Sequence, residues 1–241
     1  MYDTIGRTYA SRRRTDPRLE SRIAAAIGND TRVLNVGAGT GSYEPARSGV
    51  VALEPSAVMI AQRSATSAPA VRGIVEALPF RDRAFDVVLG VLTMHHWTDL
   101  ARGLEECARV ARHREVFVTW DPNSAGFWLV QEYFPEILAL DREIFPSMDT
   151  LRTALGELDV RPLPIPHDCT DGFLGASWRR PEAYLDPDVR AGISSFMRIG
   201  DITASLARLR TDLASGHWDA RWGALRSLTE LDVGYRIVIA G

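Results

Sequence analysis

Residues 32–41 read RVLNVGAGTG and residues 50–56 read VVALEPS. The first stretch is a short apolar run that ends directly in Gly37, Gly39 and Gly41. Glycine allows a positive φ and leaves no Cβ between a ligand and the backbone, so a glycine turn after a strand suits close approach of a bound molecule. The second stretch is another apolar run, and it ends in Glu54. An acid at that place can accept both hydroxyls of a ribose. Alone, Glu54 would equally serve as an acid at the start of the helix opening at Pro55. Joined to the glycine turn, it favours an adenosine-bearing ligand. The dinucleotide fingerprint G-x-G-x-x-G would need glycine at position 42, where Ser42 stands, and this counts against NAD and FAD.

Working outward, VRGIV (71–75), FDVVLGVL (85–92) and EVFVTW (115–120) read as a third, fourth and fifth strand. PSAVMIAQRSA and LARGLEECARVAR between them have helical spacing. Such alternation means βαβ units and a parallel sheet, with the carboxyl ends of the strands along one ligand-binding edge. A polar arm with a helix near 17–27 precedes them. After Asp121 the pattern changes: residues 123–146 and 148–158 are helical, VRPLPIP suits an edge strand, and 170–230 look mostly helical. YRIVIA (235–240) is a final strand. The chain therefore reads as one domain over 1–241. It comprises an arm (1–30), a cofactor-binding core (31–122), a cap and substrate region (about 123–230) and a last strand (234–240).

The formal net charge of −3 argues against a general polyanion binder, and all 28 basic residues are arginine. Without lysine the chain has neither Schiff-base chemistry nor a P-loop lysine. Cys107 and Cys169 make no disulfide framework, and no close His/Asp/Glu triplet suggests a metal. No apolar stretch reaches membrane-spanning length and the first residues lack a signal-like apolar region, so a cytoplasmic protein is expected.

LNVGAGTG, then VALEPS, then VEALPFRDRAFDVVLGVLTMHHW resembles the class I S-adenosylmethionine-dependent methyltransferases, in particular the branch with the ubiquinone and menaquinone biosynthesis enzymes. The resemblance implies an α/β, Rossmann-like, seven-stranded mostly parallel sheet. Its last strand would be antiparallel, with helices on both faces and a helical cap inserted after strands 5 and 6. It implies S-adenosylmethionine as cofactor and S-adenosylhomocysteine as product. Gly37, Ala38 and Gly39 should then pass beside the methionine part, with Asn35 near its ammonium. Glu54 should hold the ribose, and Pro55, Ser56 and Met59 should line the adenine. Glu76 and Ala77 should flank its edge, Gly90 and Val91 should close the pocket, and Tyr9 and Arg14 should fold over the carboxylate. Two positions depart from the family pattern: Asn35 stands where an acid is usual, and Ile74 where an Asp is frequent.

Methyl transfer asks the protein mainly to position and desolvate, with a base only for some acceptors. His95, with His96 after the fourth strand, and His167, beside Asp168, are the candidate bases. Each has a plain alternative, a structural helix start for the first and an ordinary turn for the second. Trp128, Tyr133, Trp178 and Arg179 are candidate substrate residues, although many cap aromatics should be core. The expected acceptor is a small molecule methylated on O, N or C, with no nucleic-acid or membrane partner and a monomeric or homodimeric state. A peptide or protein carboxylate methyltransferase, and a catalytically inactive cofactor-binding protein, are the alternatives.

Overall fold

A computed structural model describes residues 13–124 and 126–241. Helix α1 (Pro17–Ile27) opens the described chain. Asp16 caps it, accepting from the Arg18 N–H at 3.0 Å, and Gly28 ends it with φ 72°. Strands β1 (Val33–Val36) and β2 (Val50–Glu54) follow, then the short helix α2 (Ala57–Ala61), β3 (Ala70–Arg72) and β4 (Phe85–Val91). Helix α3 (Leu100–Val110) leads into β5 (Ala111–Trp120). The expected third strand stops at Arg72, because the chain turns there into a single 3₁₀ turn, Val75–Ala77.

The cap begins with a π-turn at Leu129–Tyr133 and α4 (Pro135–Ile144), followed by α5 (Met148–Leu155) and β6 (Leu158–Pro162). VRPLPIP is divided: β6 joins the main sheet, and β7 (Ile165–Pro166) forms a separate two-stranded ribbon. Beyond it come four 3₁₀ turns, the short α6 (Pro187–Arg190), α7 (Thr203–Ser215) and α8 (His217–Trp222). The ribbon partner β8 (Glu230–Leu231) and the final β9 (Tyr235–Ala240) close the chain.

The main sheet has seven strands in the order β3-β2-β1-β4-β5-β9-β6. Strands β1 to β5 pair in parallel, and β9 runs antiparallel to both β5 and β6. Pro162 lies on edge strand β6, where a missing N–H costs no ladder bond. Strand residues alternate between two cores, as the two-residue period requires. Val33, Val87 and Val116 face α1 and the cap, while Leu34, Val88 and Phe117 face α3 and α5. Among the described residues no helix is long and apolar enough to cross a membrane.

The aromatic residues of the cap correct one expectation. Trp128 and Trp178 are 0% exposed and Tyr133 is 2% exposed, so they are core and not pocket wall. Trp128 Nε1 donates to the Trp178 carbonyl at 2.9 Å, Trp178 Nε1 donates to the Ile165 carbonyl at 2.8 Å, and Tyr133 Oη donates to Asp212 at 2.9 Å. The Trp128 ring stands edge-on to Tyr133, Tyr184 and Trp218 at centroid distances of 5.8, 5.8 and 5.3 Å. Large rings whose polar tips find partners supply a core with area and geometry together. Trp128→Ala is expected to lower unfolding stability by about 3–5 kcal/mol in urea denaturation. Cofactor affinity of the fraction that remains folded should be unchanged, and a selective loss of ligand binding at full stability would contradict this.

Candidate active site

A cleft of about 450 Å³ opens at the carboxyl ends of β1, β2 and β4. Its floor is the turn after β1. Gly37 has φ 62° and Gly39 φ 53°. A Cβ on Gly37 would lie 1.9 Å from Thr93 Oγ1, so a side chain is excluded there by contact as well as by conformation. Ala38 donates its N–H to the Leu53 carbonyl at 3.0 Å, which ties the turn to the end of β2.

Glu54 ends β2 and is 5% exposed, yet it lines the cleft. Gly39 N–H donates to its Oε2 at 2.8 Å and Ser56 N–H to its Oε1 at 2.9 Å. Each carboxylate oxygen keeps a second lone pair, so the group still has capacity for two hydroxyls. Met59, 3% exposed, and Ile74, 52% exposed, line the same cleft and offer apolar surface for a flat ring. Glu76 lines it as well, with its side chain accepting from Thr98 N–H at 2.7 Å and Thr98 Oγ1 at 2.9 Å.

Asn35 is 2% exposed and lines the cleft. Its Nδ2 donates to Glu44 at 3.3 Å, and a carboxylate can only accept, so the Oδ1 end is left for the cleft. Glu44 is paired with Arg63 at 2.7 Å, with both side chains 5% exposed. Arg63 also donates to the Gly39 carbonyl at 3.2 Å. The carboxylate thus stands one layer behind an amide.

The structure brings Asn35, Gly37, Ala38, Gly39, Glu54, Pro55, Met59, Glu76, Val91 and His95 to one cleft. Other expected residues lie elsewhere. Ser56 caps α2, accepting from Met59 N–H at 3.3 Å, and Ala77 faces away in the 3₁₀ turn. Gly90 lies beneath the wall, where a Cβ would approach Phe117 to 2.9 Å. Tyr9 lies outside the described residues. Arg14 is exposed, and its neighbour Arg13 lines the cleft instead. Arg13 reaches inward because Asp171, on the cap, holds its guanidinium through two contacts of 2.6 and 3.1 Å.

His167 is half-exposed at the end of the β7–β8 ribbon, where its N–H donates to the Thr229 carbonyl, and it lines neither the cleft nor the chamber behind it. Its neighbour Asp168 pairs with Arg18 at 2.6 Å, the same carboxylate oxygen lying 3.9 Å from His167 Nε2. Arg179 donates to the Leu228 carbonyl at 3.2 Å, also away from the cleft.

Several site residues carried little signal in the sequence. Tyr43, Leu92 and Thr93 line the cleft, and Tyr43 and Leu92 adopt φ 61° and 49°. Left-handed backbone at a side chain with a Cβ is strained and collects at binding sites. Tyr43 Oη donates to the same Asp171 at 2.9 Å. Arg198, from the cap, also lines the cleft.

Behind the cleft is a smaller chamber of about 50 Å³, and the two share Arg13, Leu92, His95 and His96. His95 stacks on Phe145 at 4.2 Å and packs against His96 at 3.8 Å. Its Nδ1 is buried with no hydrogen-bond partner. Burial, then the neighbouring His96, Arg198 and Arg13, hold its pKa well below the ordinary value, so the ring is neutral. Burial and Arg198 bring His96 down to about 4.

Asp141, on α4, forms part of the chamber wall and is 1% exposed. Burial pushes its carboxyl up to about 7, and the Ser195 hydroxyl and Arg198 offset only part of that cost. The ordinary carboxyl value is 3.8. Between these two pH values the folded state binds more protons than the unfolded chain, so this group's contribution to stability falls as pH rises. Asp141→Asn should therefore be more stable than the native chain at pH 8, by on the order of 2–4 kcal/mol, with the gap closing towards pH 5. Urea unfolding at both pH values measures this, and a gap independent of pH would refute it.

The comparisons with known proteins agree with this geometry. Residues 34–119 match the family model described as a methyltransferase domain. A solved structure from Anabaena variabilis, described as a candidate methyltransferase from an antibiotic biosynthesis pathway, is similar at 32% identity and TM-score 0.81. The alignment covers 95% of this chain and 98% of that one. Two curated relatives match over shorter stretches. The uncharacterised methyltransferase YcgJ of Bacillus subtilis is 26% identical over 50% of this chain and 48% of its own length. The uncharacterised protein YafE of Escherichia coli is 36% identical over 23% of this chain and 27% of its own length. The chain thus spans half or less of the curated relatives it matches. With its sheet order, glycine turn and 32%-identical relative taken together, the chain belongs to the class I S-adenosylmethionine-dependent methyltransferases.

Proposed function

We propose that the protein transfers the methyl group of S-adenosylmethionine to a small-molecule acceptor. The observation that carries this reading is the Glu54 carboxylate, held at 2.8 and 2.9 Å by Gly39 and Ser56 on the lip of a cleft floored by side-chain-free backbone. The donor set suits the cofactor. Glu54 accepts the ribose hydroxyls, and Asn35 Oδ1 accepts from the amino-acid ammonium. Met59, with its polarizable sulfur, and Ile74 face the adenine. Residues 31–122 thus hold the cofactor, and the cap of residues 123–230 holds the acceptor.

When bound, the cofactor supplies an electrophilic sulfonium methyl, which passes to an acceptor lone pair as its S–C bond breaks and S-adenosylhomocysteine is left. The chain's own residues exclude water and align the acceptor, which is where most of the rate of such a displacement originates. His95, neutral and at the junction of cleft and chamber, accepts a hydrogen bond from the acceptor's O–H or N–H and takes up the proton it releases. The small chamber under the cap favours a small acceptor over a peptide. The net charge of −3 is in keeping with an acceptor that is not a nucleic acid. Two free, buried cysteines are in keeping with a reducing, cytoplasmic setting and with a monomer or homodimer that needs no disulfide.

Calorimetric titration of S-adenosylhomocysteine into the native chain and Glu54→Gln tests the cofactor role. Gln keeps the volume but sets one amide N–H against a backbone N–H. Binding weakened by about tenfold or more is expected. Unchanged affinity in the variant would remove Glu54 as the ribose ligand. His95→Ala is expected to lower kcat by about a hundredfold with cofactor affinity little changed, measured with S-adenosylhomocysteine release as the readout.

A further inference from the structure

The chamber behind the cleft has an electrostatic mismatch. Trp120, Phe145, Phe173, Ile193 and Tyr235 give it apolar and aromatic walls, and the Asp141 carboxyl is set among them. Among the described residues Asp141 makes no ion pair, and its side-chain partner is the Ser195 hydroxyl, at 3.2 and 3.4 Å from its two oxygens. One long hydrogen bond leaves most of the lone-pair capacity of a carboxylate unused. Buried carboxylates are normally matched by a cation or several donors, because removing a charge from water is costly unless it is paired. The cation that shares the chamber, Arg13, is directed to Asp171, which takes two of its N–H groups. Neither His95 nor His96 supplies a charge, since both are held in the neutral form near pH 7, and Arg198, which lines the cleft and not the chamber, acts on Asp141 only through space and offsets part of its burial.

Resting on the methyl-transfer reading of the cleft, we propose that the chamber is the acceptor's head-group site and that Asp141, steadied by Ser195, binds the ammonium of a small arylalkylamine. The carboxylate supplies the counter-charge, and the rings around it present faces that attract an organic cation. Both residues come from the cap, Asp141 from α4 and Ser195 from the 3₁₀ turn at Ser194–Met197, so the specificity is a property of the cap and not of the cofactor-binding core. A protonated amine has no lone pair to offer. The amine is therefore the handle, and the atom that receives the methyl is a different one, at the junction beside His95. Asp141 is a specificity-determining residue in this scheme, and an acceptor with a carboxylate in place of the ammonium is repelled.

The test uses the native chain loaded with S-adenosylhomocysteine, titrated with phenethylamine and tyramine. Each is compared with its neutral alcohol (2-phenylethanol, tyrosol) and its acid (3-phenylpropanoate, 3-(4-hydroxyphenyl)propanoate). The amines should bind about tenfold or more tightly than the alcohols, and the acids least. Asp141→Asn should erase the preference of amine over alcohol while retaining the affinity for S-adenosylhomocysteine. Ser195→Ala, a smaller change that keeps the carboxyl, should reduce it severalfold. Acids binding as well as amines, amines binding no better than alcohols, or a preference that survives Asp141→Asn would overturn the proposal. Absence of S-adenosylhomocysteine binding to the native chain would strike the cofactor site itself, a result visible before any amine is added.

Discussion

The Glu54 side chain ends β2 almost wholly out of water, and the cleft depends on how its two oxygens find donors there. Two backbone N–H groups, from Gly39 and Ser56, solvate it from opposite oxygens. That arrangement is possible only if the turn after β1 comes back against the end of β2. The turn can do so because Gly37 and Gly39 take positive φ and because Ala38 bonds to Leu53. The parallel pairing of β1 with β2 sets the height at which these groups meet, Val36 lying opposite Leu53. The sheet, the turn and the acid therefore form one device.

A second layer supports the first. Asn35 is oriented by Glu44, and Glu44 is neutralised by Arg63, which also bonds to the Gly39 carbonyl. An amide in front of a buried ion pair gives the cleft an acceptor without an unbalanced charge. The departure at Asn35 therefore has a physical partner nine residues on. Ile74 has a simpler account: it is half-exposed apolar surface on the cleft wall, suited to contact with a ring face and not to an amino group.

The cap contributes in two ways that pull against each other. Its core of tryptophans and tyrosines is closed, with Trp128, Trp178 and Trp218 all 0% exposed, and Trp128 and Trp178 both donate their indole N–H to carbonyls. Where it meets the core the packing is not satisfied, for Asp141 of the cap and His95 Nδ1 of the core are buried polar groups short of partners. Stability lost at such groups is characteristic of sites that are completed by a ligand. Strained backbone at Leu92 lines the same chamber, and that at Tyr43 lines the cleft in front of it.

The glycine turn, the acid after it and the pace of alternating strands were legible in the sequence because each is local. A turn needs particular residues within a few positions, and a parallel sheet with covered faces shows as apolar runs at regular spacing. From these the fold, the family and most of the residues that the structure gathers along the cleft follow. The sequence could not separate pocket from core among the cap's aromatics, since Trp128 and Phe145 look alike as letters and differ only in what surrounds them. Nor could it tell Arg13 from Arg14, because that choice is made by Asp171, 158 residues away. Asp141 carried no motif at all. Its place in an aromatic chamber exists only once α4, β5, β9 and the segment around Ser195 are packed together, and the burial of a charge is a property of that packing and not of any stretch of chain.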